Sequence, residues 1–286
     1  MTRRTLSSLL VVVLALAVLP AAAPAKTYKR VAALTPFTAN TLAALGVRPV
    51  AIGQTLGGHD RLDGRLKGVP TLALSHPSGP NLEQLAVRNP QLVLSAPIWK
   101  KGEAGMRRLG MKVAYSDPRS VHELVADTKQ IGALVGRAGA AARLAAQQTS
   151  AIHAASAGVR RHPTVLLIMG VGRTSYAMLE NSWGGDIVRR AGGRLLTGGL
   201  RASGGYARIS DEAVVARNPD VIIAVPHGSP SSIPSLARYL GNKAGWKTTK
   251  AARRGRIYVA TGNSLLQAYT DPGRIIRDVR SKFLKN

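Results

Sequence analysis

The chain has 286 residues, of which 45% are hydrophobic and 19% charged, so it can bury a substantial core and is not disordered by composition. It carries 40 Lys+Arg against 14 Asp+Glu, a formal charge of +26, and no cysteine. The missing cysteine excludes a disulfide framework, a cysteine nucleophile, a thiolate metal site and a lipid anchor on an N-terminal Cys.

Residues 1–25 begin with Arg3 and Arg4, continue through an apolar run from Leu9 to Leu19, and end in Ala23-Pro24-Ala25. This order is that of a secretory signal peptide with cleavage after Ala25, and the run is short for a membrane span of about 20 residues. Export argues against nucleic acid as the partner of so basic a chain. A cationic exported surface is also drawn to anionic lipid or cell-wall polymer.

Short apolar runs bounded by turn residues follow at Val31–Leu34, Val50–Gly53, Thr71–Leu74, Leu92–Ser95 and Lys112–Tyr115. Helical patterns at Phe37–Leu45, Asn81–Val87 and Lys101–Leu109 separate several of them, which predicts a parallel α/β lobe over residues 26–118. Residues 119–158 are Ala-rich, with apolar positions at helical spacing and Ser120 and Glu123 placed as a capping box. They predict one connecting helix from Ser120 to Ala157, about 57 Å long, although Gly132, Gly136 and Gly139 interrupt the pattern. Strand-like runs at Thr164–Met169, Val221–Val225 and Arg256–Ala260 then alternate with helical patterns, predicting a second α/β lobe over residues 159–286.

An internal repeat supports this plan. Glu83-Gln-Leu-Ala-Val-Arg88-Asn89-Pro90 precedes an apolar strand and Pro97, and Glu212-Ala-Val-Val-Ala-Arg217-Asn218-Pro219 precedes another and Pro226. The matched residues keep one constant offset. Two similar lobes leave a cleft between them, and ligands of open α/β sheets lie beyond the carboxyl ends of the strands. Thr35, Pro36, Phe37, His76, Trp99, Arg173 and His227 follow or adjoin such ends.

Read together, RVAALTPFTANTLAALGVRPVAIG, NLEQLAVRNPQLVLSAP, SWGGDIVRRAGG, YARISDEAVVARNPDVIIAVPHG and AARRGRIYVATGN resemble the class III periplasmic binding-protein family. These are ABC-transporter receptors for haem, ferric siderophores and cobalamin. The resemblance implies two Rossmann-like lobes joined by one long helix, a ligand cleft between them and a monomeric, non-enzymatic protein. It implies that Glu83 and Glu212 dock the membrane permease. One departure stands out: the first helix reads Thr38-Ala39-Asn40-Thr41, where many members carry a Thr-Glu pair.

The segment around His227 resembles the haem-binding members, in which a His-Gly here supplies an axial iron ligand. Ser78 stands where some haem binders place a methionine ligand, so His76 is the substitute candidate. Tyr176, Tyr206 and Tyr269 are candidates for phenolate ligation or stacking, Trp99 for an apolar wall, and Arg173 and Arg201 for pairing with carboxylates. A ferric siderophore or cobalamin on the same scaffold stays open. An exported hydrolase is weighed too, but the chain lacks G-x-S-x-G and H-E-x-x-H. A cell-wall adhesion protein acting by charge alone is the third alternative.

Overall fold

The computed structural model describes residues 26–54, 62–170, 175–201, 203–225, 233–260 and 262–285. The leader-like residues 1–25, and Arg173 and His227, lie outside the described residues.

Lobe one contains β1 (Val31–Ala33), α1 (Pro36–Ala44), β2 (Ala51–Gly53), β3 (Thr71–Leu72), β4 (Leu74–Ser75), β5 (Gly79–Pro80), α2 (Leu82–Arg88), β6 (Leu92–Ser95), α3 (Glu103–Arg108) and β7 (Lys112–Tyr115). Five strands form a parallel sheet in the order β3-β2-β1-β6-β7, with Val31 opposite Leu92 and Leu92 opposite Lys112. The central strands are apolar on both faces because both faces are covered, so no alternation marks them.

The segment expected to form one helix instead forms two, α4 (Val121–Leu134) and α5 (Ala138–Ser156). The interior glycines account for the difference. Gly136 adopts φ +69°, a conformation that favours glycine, and the Arg137 amide turns back to the Gly132 carbonyl at 2.7 Å. A Cβ at Gly132 would overlap that of Ala141, so this glycine lets the two helices fold against each other. The Tyr28 amide donates to the Leu134 carbonyl at 2.9 Å, which fastens the end of α4 to lobe one. The helix that joins the lobes is therefore α5, 19 residues and about 28 Å long.

Lobe two contains β8 (Thr164–Met169), β9 (Ser175–Met178), α6 (Trp183–Arg190), β10 (Arg194–Leu195), β11 (Tyr206–Ile209), α7 (Asp211–Arg217), β12 (Val221–Val225), α8 (Ile233–Asn242), α9 (Lys250–Arg253), β13 (Ile257–Val259) and α10 (Pro272–Val279). Its parallel ladder β8-β12-β13 is extended on the other side of β8 by two short pieces. β10 runs parallel to the start of β8, while β9 pairs antiparallel with its end and carries β11 antiparallel beyond it. Here α5 meets lobe two: Gln148 Nε2 donates to the Thr270 carbonyl at 3.1 Å, and Arg280 donates to the Ala157 carbonyl at 2.9 Å.

The repeat read from the sequence is present in three dimensions. Asn81 caps α2 and Ser210 caps α7, each accepting the amide three residues on. Both helices end in a left-handed asparagine, Asn89 at φ 43°, ψ 56° and Asn218 at φ 44°, ψ 58°. Each chain then turns at Pro90 or Pro219 into a fully buried strand.

The core has three parts. One cluster covers the outer face of each sheet, around Leu85 and Met106 in lobe one and Val214 and Trp246 in lobe two. The third is shared, running from Phe37 and Leu92 through Leu124, Ala141 and Ile152 to Val165 and Trp183. The two lobes thus share one apolar interior behind the cleft.

Candidate functional site

Each repeat unit places its helix antiparallel to the strand that follows a tight turn. The N-termini of α2 and α7 therefore lie at the carboxyl ends of their sheets, the side on which ligands of such sheets are held. Glu83 and Glu212 occupy the second positions of these helices, and both are exposed. Asp211 is engaged below, accepting from Lys243 Nζ at 2.7 Å and from Trp246 Nε1 at 3.0 Å. The Ser210 hydroxyl beside Glu212 holds that carboxyl below the usual range.

In lobe one, Thr35 lies two residues beyond β1 and caps α1. Its Oγ1 accepts the Thr38 amide at 3.2 Å, and Thr38 Oγ1 donates back to the Thr35 carbonyl at 3.0 Å. Pro36 starts the helix. Phe37, expected as a ligand contact, is 1% exposed and belongs to the shared core. It turns inward because α1 is covered on nearly every side, so the apolar ring has no need of a ligand to bury it.

His76 is exposed at the turn of the β4–β5 hairpin, and its bond to Pro77 is cis. Trp99, half-buried, follows β6 in the helical turn Pro97–Gly102. Its side chain lies on Gly79 beside the hairpin turn, and Gly102 packs against the backbone of Ser78 so closely that a Cβ would not fit. The hairpin that carries His76 is thus braced by the turn that carries Trp99.

In lobe two, Tyr176 is exposed on β9, opposite Met169 and Arg208. Arg201 is also exposed. Tyr206 on β11 is half-buried, and burial raises its phenol further above neutrality, with the Asp117 charge adding and Arg119 opposing. Tyr269 is 5% exposed and lies in the shared core, where its hydroxyl accepts from Gln267 Nε2 at 3.2 Å. Like Phe37, it packs in the shared core.

Sequence reasoning missed the crossing between the lobes. Asp117 and Arg119 follow β7, and the Arg119 guanidinium reaches the neighbourhood of Gly204 in lobe two. Solvent reaches Asp117 from one side, yet the surrounding protein pushes its carboxyl upward against the pull of Arg119. Asp117-Pro118 reads as an ordinary turn, so no local signal marks it.

The sequence from residue 31 to residue 263 matches the family model described as periplasmic binding protein. The chain belongs to that family. Among curated proteins it is similar to the high-affinity heme uptake system protein IsdE of Staphylococcus aureus, 28% identical over 202 residues, covering 69% of this chain and 68% of that one. The solved structure of S. aureus IsdE complexed with heme superposes with a TM-score of 0.75 at 25% identity, over 90% of this chain and 99% of that one. An ABC transporter substrate-binding protein from Listeria monocytogenes gives a TM-score of 0.77 at 22% identity, over 90% and 99% of the two chains. The vitamin B12 binding protein BtuF of Vibrio cholerae gives 0.68 at 15% identity, over 89% and 96%. The two-lobed class III architecture of these periplasmic binding proteins is the fold found here. Among the described residues of this periplasmic binding protein, no helix is long and apolar enough to cross a membrane.

Proposed function

We propose that this protein is the extracytoplasmic substrate-binding component of an ABC importer and that its cargo is haem, received in the cleft between the lobes. The observation that carries the ligand is the similarity to IsdE, which spans both lobes and includes a structure complexed with heme. The chain's own residues suit that cargo. A porphyrin fills four positions on iron and leaves two axial ones, which neutral imidazoles take well. His76 would approach from lobe one on the hairpin braced by Trp99. His227 would approach from lobe two, just beyond β12. Trp99 and Tyr176 would offer flat apolar walls, with Tyr206 deeper in the crossing. Arg173 and Arg201 would pair with the propionates as planar forks. Thr35 and Pro36, just beyond β1, would border the cleft.

Delivery follows from Glu83 and Glu212. They present one carboxylate from each lobe at the cleft end of the molecule, and an arginine-bearing permease would be steered to these two points. In so cationic a protein, exposed acids at helix N-termini are distinctive local targets.

The second reading keeps the scaffold and changes the cargo to cobalamin, for which the likeness to BtuF speaks, or to a ferric siderophore, for which the likeness to a Fe3+-hydroxamate transport protein of Saccharomonospora viridis speaks. The deciding experiment is a titration of residues 26–286 with haem, followed in the Soret region. Haem as cargo requires saturable binding with a shifted band, and His227→Ala and His76→Ala should each weaken it and alter the spectrum. A flat titration, with saturable binding of cobalamin or a ferric hydroxamate instead, would replace haem by the second reading.

A further inference from the structure

We infer that Asp186 is the pin that fixes the angle between the lobes. It lies on α6 in lobe two, is 3% exposed, and takes no part in the proposed cargo contacts. Its Oδ2 accepts the backbone N–H of Val121, the first residue of α4 in lobe one, at 2.9 Å in a buried setting.

The first four N–H groups of α4 have no partner within the helix. Ser120 Oγ accepts the Glu123 amide at 3.1 Å, and Glu123 Oε2 accepts the Arg119 amide at 2.8 Å, so lobe one satisfies its own cap at these positions. The Val121 amide is satisfied from the other lobe. A carboxylate at this end also meets the positive pole of the α4 dipole.

The acceptor itself is held rigidly. Arg189 Nη2 donates to Asp186 Oδ1 at 2.7 Å, and Arg190 Nε donates to Oδ2 at 3.0 Å. At the far end of α6, Arg280 Nε donates to the Ala191 carbonyl at 3.1 Å and its Nη1 to that of Ala157 at 2.9 Å, tying α6 to α5 and α10. A rotation of lobe two away from lobe one would strip the Val121 amide of its partner inside an apolar interior, a costly outcome for a buried donor. The shared core resists sliding without direction, whereas this directional bond selects one angle.

The test uses the absence of native cysteine, which allows clean spin labelling. Exposed Lys112 in lobe one and Lys247 in lobe two are changed to Cys and labelled, and the distance distribution is measured by pulsed electron resonance without cargo. Val121→Pro is the decisive variant. Proline is accommodated at the first helical position, so it removes the donor and leaves both lobes' own capping in place. Val121→Pro and Asp186→Ala should broaden the interlobe distribution, while Asp186→Asn, which keeps an acceptor for the amide, should stay near the parent. Distributions in Val121→Pro and Asp186→Ala as narrow as the parent's would overturn the pin, whatever their melting temperatures. In the second arm, haem affinity of Val121→Pro should fall by about tenfold, because the competent angle becomes a fraction of the ensemble. That arm rests on the haem reading above. Failure of the parent to bind haem, with the broadening present, would sink that reading and leave the pin standing.

Discussion

The two lobes repeat one plan and then depart from it at a single edge. In lobe one the strand beside the central β1 is the parallel β2, followed by β3. In lobe two the same edge of β8 is divided between the parallel β10 and the antiparallel β9, with β11 outside. The helix–turn–strand unit on the other side is unchanged, down to left-handed asparagines whose dihedral angles agree within two degrees. What is shared holds the sheet and presents an acid. What differs reshapes the edge carrying Tyr176 and Tyr206, so the lobes offer a common outer face and unlike inner walls.

The largest effect should come from breaking the shared part. Glu83→Ala with Glu212→Ala should abolish uptake in transport assays while the purified protein binds cargo with unchanged affinity, and each single change should leave partial uptake. Equal loss of cargo binding would show that the pair serves the cleft and not the permease.

Gly102 and Gly185 both pack against backbone with no space for a Cβ, so Gly→Ala should cost each lobe about 1–3 kcal/mol in denaturant unfolding. Only Gly102→Ala displaces the hairpin bearing His76, so it alone should also weaken cargo binding.

The paired asparagines should differ more gently. Asn89→Ala loses the left-handed preference, worth about 1 kcal/mol. Asn218→Ala should cost more, because Asn218 Oδ1 also accepts the Lys250 amide at 2.8 Å and ties α7 to α9. Denaturant midpoints of the two variants, compared directly, read this difference.

Acidity separates the lobes by sign. Burial pushes the Asp127 carboxyl up to about 6; the Ser116 hydroxyl opposes this and the charges of Glu123 and Asp117 add to it. In lobe two, burial would raise Asp220, but the hydroxyl and amide of Thr164, with Lys250 and Arg254, pull it below the ordinary value. The folded form with Asp127 binds more protons than the unfolded chain between 3.8 and about 6, so stability declines as pH rises through that window. Asp127→Asn should therefore melt higher than the parent at about pH 7, with the gap closing at about pH 4. Asp220→Asn should melt lower than the parent at neutral pH, with its deficit shrinking as acid protonates the carboxylate it replaced.

Strand positions were legible where an apolar run is bounded by turn residues, whether the strand is buried on both faces or, like Lys112–Tyr115, only in part. Leu92–Ser95, Lys112–Tyr115, Thr164–Met169 and Val221–Val225 are observed at the bounds expected from their apolar runs. β9 and β11 were not anticipated, since SYAM and YARI are short and lie among glycines and polar residues that read as loop. The connecting segment showed its helical period but concealed its fold-back, because Gly136 looks the same in sequence whether it interrupts a rod or turns it. The candidate site was legible as loops and only partly as side chains. Nearness to a strand end selected Trp99, which packs on Gly79 of the hairpin that carries His76, and equally Phe37, which packs inward. Asp186 escaped notice because its partner is a main-chain amide 65 residues away.

The doubling back at Gly136 has one more consequence. Because α5 lies against α4 along its first half and reaches α10 with its second, cutting the chain between residues 134 and 159 would leave each half with an open greasy flank. Two fragments made that way should be insoluble apart and recover only when mixed: a duplication whose members have forfeited the ability to live alone.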